Sequence, residues 1–144
     1  MNRIIPLLIT MAPLLAACST ASPEPARLGE VGRRIETLGG SYTEITVDEL
    51  SRLQQGDSEF LLVNTHIPFE GDIPHTDISI PYDEIDQQLA QLPADKDAPI
   101  VLYCRSDRMS TIAAERLVSL GYNAVYNVDG GMVAWEQAGY RLER

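Results

Sequence analysis

The sequence predicts an α/β fold in which a mainly parallel five-stranded sheet carries helices on both faces. Two observations lead to this prediction. Segments with a strand-like pattern alternate along the chain with segments of helical periodicity, which favours parallel strands joined by crossover helices. In addition, residues 60–63 and 100–103 are unbroken apolar runs, as expected for strands that are buried on both faces.

The individual elements follow from local patterns and from the residues that end them. The predicted strands are residues 42–45, 60–63, 78–80, 100–103 and 124–128. The predicted helices are residues 47–56, 85–92, 110–120 and 132–138. Thr46 and Glu49 have the spacing of a capping box at the start of the first helix. Gly121 and Gly139 provide stops for the last two helices.

The first residues have the anatomy of an export signal. Arg3 precedes a short apolar stretch, residues 4–15, which is too short for a comfortable membrane span. The stretch ends in Leu-Ala-Ala-Cys at residues 15–18, which resembles the lipobox of bacterial lipoproteins, in which the cysteine is lipidated. We therefore predict a lipoprotein signal peptide at residues 1–17 and lipidation of Cys18. The alternative is an ordinary secretory signal with Cys18 incidental.

The signal leads to predictions of domain organisation and location. Residues 18–40 are rich in Ser, Pro, Ala, Gly and charge, and we interpret them as a lipid-anchored flexible tether with a brief helical turn near residues 31–38. The folded domain is then predicted to span residues 41–144. The expected location is the cell envelope, where the lipid anchors the protein to a membrane and the domain faces the periplasm or the exterior.

Charge and cysteine content restrict the possible functions. Among 144 residues, 11 Lys and Arg stand against 21 Asp and Glu, a formal net charge of −10. Such a surface repels phosphate backbones, so nucleic-acid binding is not expected, and any anion site has to be built locally. If Cys18 carries lipid, Cys104 is left without a cysteine partner. Cys104 is then either buried and inert or kept as a reactive thiol.

The segment after the strand at residues 100–103 contains the candidate functional residues. They are Cys104, Arg105, Ser106, Asp107, Arg108, Met109 and Ser110. A short loop between a buried strand and a helix directs several backbone N–H groups and the positive end of the helix at one point. A thiolate at that point is stabilised and can act as a nucleophile. The loop therefore predicts a cysteine-centred anion site.

The second half of the chain resembles the C-terminal half of a rhodanese domain. The residues that carry the resemblance are Tyr-Cys-Arg-Ser at 103–106, Ala113-Ala114, Leu117, Gly121-Tyr122, Val-Tyr-Asn at 125–127, Gly-Gly-Met at 130–132 and Ala134-Trp135. In the first half, Gly-Asp-Ile-Pro at residues 71–74 resembles the Gly-His-Ile-Pro of that family. The resemblance extends over about residues 42–140, so the domain at 41–144 is identified as rhodanese-like.

The resemblance implies a sulfurtransferase that needs neither cofactor nor metal. Cys104 would take a sulfane sulfur from a small sulfur-containing anion such as thiosulfate, or from polysulfide, and pass it to a thiol or cyanide-like acceptor. The amides of residues 105–110 would form the cradle, and Arg105 or Arg108 would hold the anionic part of the donor. The sequence does not predict the oligomeric state.

The chain departs from the family pattern at several positions. Asp107 stands where the family often has Gly, and Met109 where it often has Arg. Asp107 either caps the following helix or tunes the site by its charge, and its backbone requires a shape that Gly adopts more easily. Asn64, Thr65 and His66 replace the usual acidic and basic pair, so we do not expect that supporting ion pair.

The remaining polar residues of the first half are interpreted as loop residues. His66 and His75 are not needed as catalytic bases and form no metal site, because two histidines make a poor ligand set. Three nearby acids, Glu70, Asp72 and Asp77, are interpreted as solvated charges.

Two other functions compete with sulfur transfer. A cysteine-dependent phosphatase shares the strand–loop–helix cradle but needs an arginine where this chain has Ser110, so that function is disfavoured. A catalytically weak module that binds a partner or senses a sulfur species is the stronger alternative, because Asp107 places negative charge beside any anionic donor.

Overall fold

The computed structural model describes residues 26–144 and contains an α/β sheet of six strands. The strands are β1 (Arg33–Thr37), β2 (Gly40–Ile45), β3 (Leu61–Asn64), β4 (Ile78–Ser79), β5 (Ile100–Tyr103) and β6 (Val125–Val128). The helices are α1 (Val47–Gln55), α2 (Arg108–Ser119) and α3 (Gly131–Gln137), with a short 3-10 helix at Leu89–Gln91.

The strand order is β1-β2-β6-β5-β3-β4, and every neighbouring pair is parallel except β1 and β2. Helices α1 and α3 contribute to the apolar cluster on one face of the sheet, whereas α2 contributes to the cluster on the other face. The predicted mainly parallel sheet with helices on both faces is therefore confirmed. The number of strands is six, not the predicted five.

The additional strand, β1, lies in the segment that the sequence led us to interpret as a tether. All five residues of β1 pair with β2, from Arg33 opposite Glu44 to Thr37 opposite Gly40. Ala26, upstream of β1, is buried in the core. The predicted domain boundary at residue 41 and the helical turn near 31–38 are therefore wrong. An edge strand keeps most of its side chains in solvent, so the polar composition of β1 conceals its pairing.

The predicted helix at residues 85–92 is also wrong. Only Leu89–Gln91 forms a helical turn, of the 3-10 type. Ile85 and Leu92 are nevertheless buried in the cluster that contains α2. The spacing of these apolar residues therefore predicts their burial correctly. It does not identify a helix, because turns in an irregular segment can bury residues at the same spacing.

The helices at residues 47–56 and 110–120 are confirmed with small shifts of their ends. The capping box is present, with the Glu49 amide donating to Thr46 Oγ1 over 3.2 Å and the Thr46 amide donating to Glu49 Oε2 over 2.8 Å. Between residues 26 and 144, no helix combines the length and apolar character that a membrane crossing requires. The predicted signal peptide and Cys18 lie outside the described residues and stay predictions.

Candidate active site

Cys104 directly follows β5, which lies in the sheet between β6 and β3. The connection to α2 is short, because the helix already begins at Arg108. Ligand sites of open parallel sheets are found at these carboxyl ends of the strands. The sequence-predicted position of the site is thus consistent with the fold, although Cys104 itself is only 2% exposed.

Two hydrogen-bond donors lie next to the Cys104 sulfur. The backbone N–H of Asp107 donates to Sγ over 3.1 Å, and the Ser110 hydroxyl lies 3.4 Å from Sγ. The Ser110 hydroxyl is also 3.0 Å from the Asp107 carbonyl, so its single proton serves one of the two acceptors at a time. Donors aimed at a sulfur atom stabilise negative charge on it, which is the property that a nucleophilic thiolate requires.

The backbone of this loop is attached to the start of α3. The Met132 N–H donates to the Cys104 carbonyl and the Val133 N–H donates to the Arg105 carbonyl, each over 2.9 Å. Gly131 approaches so closely that an added Cβ would lie 2.2 Å from the Cys104 oxygen. The Gly-Gly-Met motif therefore holds the loop in place by close backbone contact.

Asp107 has an unusual backbone and an unexpected side-chain partner. Its φ is 114°, a region that favours glycine, in line with the expectation that this position needs a glycine-like shape. Its carboxylate makes no cap hydrogen bond to α2, and instead accepts the Gly130 N–H at 2.7 Å. The interpretation of Asp107 as a helix cap is therefore wrong, because Gly130 competes successfully for the carboxylate.

The charge state of Asp107 is also affected by its surroundings. Burial raises the pKa of the Asp107 carboxyl above its ordinary value, the hydrogen bond from Gly130 opposes that shift, and Asp129 and Glu44 add to it. Asp107, Asp129 and Glu44 are thus close enough to interact and form an acidic group next to the cysteine loop, in which Glu44 is also paired with Arg33. This group is the electrostatic feature that distinguishes the site from a simple anion cradle.

The opposite side of the loop is occupied by an exposed network around Glu70. Glu70 Oε2 accepts from Arg105 Nη1 at 2.6 Å and lies 2.8 Å from His66 Nε2. Hydrogen bonds from Arg105 and then from His66 hold the pKa of Glu70 below its ordinary value. The other ring nitrogen of His66, Nδ1, is buried without a partner among the described residues. Glu70 is thus an exposed loop residue, as expected, and its ion pair with Arg105, which the sequence did not predict, supports this side of the site.

The other two loop acids have structural partners as well. Asp72 Oδ1 accepts from the Tyr103 hydroxyl at 3.0 Å and from Asn64 Nδ2 at 2.9 Å. Asp77 Oδ2 accepts the Leu62 N–H at 2.7 Å. Burial raises the pKa of Tyr103, so its hydroxyl remains protonated as a donor. These bonds fix the 71–77 segment against the strands. The interpretation of the two acids as solvated charges is therefore incomplete, because Asp77 is exposed and Asp72 half-buried, but both also have structural partners.

The predicted site residues are not all brought to the sulfur. Asp107 and Ser110 contact it, whereas Ser106 and Arg108 are exposed and Met109 is half-buried. Within residues 26–144 Arg108 makes no ion pair, so its side chain is available to an anion at the rim. His75 is exposed and is one of two non-glycine residues with positive φ in the described part of the chain.

A groove of about 300 Å³ begins at Arg105, the residue after the cysteine. Its lining consists of the apolar residues Met132, Val133 and Leu142 and the charged residues Glu70, Arg105, Glu136 and Arg144. Sequence reasoning missed this groove, because its walls come from two loops, a helix and the C-terminal segment. No local signal connects those four segments.

The fold is a mainly parallel α/β sheet with a cysteine between a central strand and a helix, and amide and hydroxyl donors contact the cysteine sulfur. This combination defines a class of cysteine-centred anion-binding domains. Residues 58–138, more than half of the chain, match the rhodanese-like domain family. The chain belongs to this family.

Individual relatives agree with this assignment. A sulfurtransferase of Allochromatium vinosum is 34% identical over 99 residues, which cover 67% of this chain and 90% of the relative. A thiosulfate sulfurtransferase, GlpE, of Vibrio cholerae is 40% identical over 50 residues, which cover 35% of this chain and 47% of the relative. The crystal structure of a rhodanese-like domain protein from Staphylococcus aureus superposes with a TM-score of 0.59 at 28% identity, covering 70% of this chain and 98% of that one.

Proposed function

We propose that this protein is a sulfurtransferase that carries sulfane sulfur as a persulfide on Cys104. The observation that carries the proposal is the pair of donors at the sulfur, the Asp107 N–H at 3.1 Å and the Ser110 hydroxyl at 3.4 Å. Membership of the rhodanese-like family and the similarity to proteins named sulfurtransferases support it.

The reaction proceeds in two displacements at sulfur. The Cys104 thiolate attacks the outer sulfur of a donor such as thiosulfate or polysulfide, and the donor's S–S bond breaks with its electron pair leaving on the remaining fragment. A thiol or cyanide-like acceptor then attacks the outer sulfur of the Cys104 persulfide and restores the thiolate. Neither displacement requires an external oxidant or reductant.

The surrounding residues have distinct roles in this proposal. The Asp107 amide and the Ser110 hydroxyl stabilise the negative charge on sulfur before and after transfer. The bonds from Met132 and Val133 hold the loop so that the two donors keep their direction. Arg108 at the rim attracts an anionic donor, and Arg105 does so to the extent that Glu70 releases it.

The decisive test is the mass of the protein after exposure to thiosulfate and to polysulfide. The wild type should gain one sulfur atom on Cys104, and Cys104→Ser should gain none while keeping its circular dichroism spectrum. Ser110→Ala should load more slowly than the wild type, because one of the two donors is lost. An adduct that persists in Cys104→Ser would overturn the choice of nucleophile.

A weakly active binding or sulfur-sensing module is the second candidate, and the 2% exposure of Cys104 favours it. A sensor would acquire the same sulfur atom but release it slowly. Loading followed by addition of cyanide separates the two functions, because an enzyme returns to the free thiol over many cycles whereas a sensor does not turn over.

We further propose that Cys18 is lipidated and anchors the domain in the cell envelope, facing the periplasm or the exterior. The lipobox-like residues 15–18 support this. Expression in a bacterial host followed by detergent partitioning tests it. The wild type should partition with the membrane fraction and Cys18→Ala should not, and equal partitioning of both would refute the anchor.

A further inference from the structure

The groove that begins at Arg105 is connected to the cysteine loop through the backbone. Met132 and Val133, two residues of its lining, donate their N–H groups to the carbonyls of Cys104 and Arg105. A molecule in the groove therefore lies next to Arg105, the residue that follows the nucleophile in the chain. Its volume of about 300 Å³ is at the lower end for small-molecule sites.

The wall of the groove formed by the C-terminal segment is held in place. Asp72 and Glu143 exchange two backbone hydrogen bonds of 2.8 Å each, and Trp135 Nε1 donates to the Arg141 carbonyl over 3.0 Å. Leu142 lies between these two attachments and contributes to the lining. The groove is consequently formed before any ligand arrives, which lowers the ordering cost of binding.

The charges around the groove come in neutral pairs. Arg105 pairs with Glu70 at 2.6 Å, and Arg144 pairs with Glu136 at 3.5 Å. A ligand with one carboxylate and one ammonium group can separate such a pair and bind both partners, with its carboxylate on the arginine and its ammonium on the glutamate. A dianion can bind only the arginine, and the displaced glutamate is then left unpaired next to the dianion. The apolar residues Met132, Val133 and Leu142 further favour a ligand that contains carbon.

The other side of the cysteine loop also disfavours a dianion. Asp107, Asp129 and Glu44 form the acidic group described above, and the Asp107 amide itself contacts the sulfur. A doubly charged donor approaching Cys104 is repelled by the carboxylate of Asp107, the residue whose amide contacts the sulfur. A donor with no net charge does not experience that repulsion.

We propose that the groove binds the organic part of the sulfur donor, and that the preferred donor is the persulfide of a small zwitterionic thiol instead of inorganic thiosulfate. This inference rests on the proposed sulfurtransferase function. The Cys104 thiolate attacks the outer sulfur of R–S–SH, the bond between the two donor sulfurs breaks, and R–S⁻ leaves with the electron pair. The outer sulfur keeps its proton, so Cys104–S–SH forms without net oxidation or reduction.

The test measures the rate of sulfur loading on Cys104 by rapid quenching and intact-protein mass spectrometry. The probes are thiosulfate and the persulfides of cysteine, N-acetylcysteine and cysteamine, which respectively carry both charges, the carboxylate alone and the ammonium alone. Cysteine persulfide should load faster than thiosulfate by about tenfold or more, and faster than either singly charged analogue.

Variants of the outer ion pair connect this preference to the groove. Arg144→Gln and Glu136→Gln should each lower the rate with cysteine persulfide more than the rate with thiosulfate. Arg34→Gln is the matched control, because Arg34 forms a similar exposed pair with Glu36 on β1, away from the cysteine loop. It should leave the ratio of the two rates unchanged.

The outcomes separate the two levels of the proposal. If no donor loads Cys104, the sulfurtransferase function itself fails. If Cys104 loads but thiosulfate is as fast as cysteine persulfide, or the three organic persulfides react equally well, the function stands and the assignment of the groove is overturned. An unchanged ratio in both groove variants would also overturn that assignment.

Discussion

The loop that carries Cys104 is held in different ways on its two sides. On the side of α3, which we call the backbone side, Gly130–Val133 contact the loop through main-chain hydrogen bonds and one half-buried contact with the Asp107 carboxylate. On the side of the β3 loop, which we call the side-chain side, Arg105, Glu70 and His66 form an exposed network. The comparison indicates that backbone contacts fix the position of the sulfur, whereas side chains adjust the charge around it.

The largest effect is expected from Gly131→Ala on the backbone side. The added Cβ would lie 2.2 Å from the Cys104 carbonyl oxygen, so the loop and α3 have to separate. We expect a loss of about 3 kcal/mol in the free energy of unfolding and a large loss of sulfur loading. Urea unfolding and the loading assay measure the two quantities.

Gly139→Ala is the matched control for Gly131→Ala. Gly139 follows the other end of α3 with φ 89°, and nothing lies within 4 Å of an added Cβ. It should lose only about 1 kcal/mol, the cost of the left-handed conformation, and retain loading. Equal losses in the two variants would show that the close backbone approach at Gly131 is unimportant.

A smaller effect, dependent on pH, is expected from Asp107→Asn. Because the pKa of Asp107 is raised in the folded protein above its ordinary 3.8, the folded state binds the proton more tightly than the unfolded state does. Stability therefore falls as pH rises from about 3.8 through the raised pKa, and it is constant with respect to this group above that range. The variant keeps an acceptor for the Gly130 N–H and removes this decline.

The measurement is the difference in unfolding free energy between wild type and Asp107→Asn across this range. The wild type should lose stability relative to the variant as pH rises, by less than about 1 kcal/mol because the side chain is partly exposed. Asp83→Asn, at an exposed aspartate, provides the control. A difference that is flat with pH, or that changes in the opposite direction, would refute the electrostatic role of Asp107.

The smallest effect on stability is expected from Glu70→Gln on the side-chain side. Arg105 and Glu70 are exposed, so the midpoint of urea unfolding should not change measurably. The rate of loading from thiosulfate should rise a few-fold, because Arg105 is released toward an anionic donor. Glu36→Gln, which breaks the exposed pair on β1, should change neither quantity. A clear destabilisation by Glu70→Gln would contradict the division between the two sides.

The same division explains which features could be predicted from the sequence. The strand–loop–helix at residues 100–119 and the parallel sheet are encoded locally, by apolar runs and by the cysteine motif between them. The partners of the loop are not local. Glu70 lies 35 residues from Arg105, and Gly130 lies 23 residues from Asp107. In the sequence, a carboxylate before a helix indicates a helix cap. Only in the folded chain does the Gly130 N–H lie close enough to take the Asp107 carboxylate as its acceptor.

Strand β1 escaped prediction for a related reason. Its pairing partner is adjacent in sequence, but its side chains are largely exposed, so the alternation that identifies a strand is weak. Gly39 instead lies in the turn of a hairpin, and Gly40, with φ 139°, is the first residue of β2. Composition indicated exposure correctly and gave no information about backbone pairing.

The two outer strands of the sheet differ in how they discourage self-association. Strand β1 carries Arg33, Arg34 and Glu36 at exposed positions, and β4 is only two residues long. A charged or very short edge strand is a poor template for pairing with a strand of another polypeptide. The unpaired backbone N–H and C=O groups of both edge strands are thus protected from amyloid-like stacking. Electrostatic repulsion and hydration protect β1, and its short length protects β4.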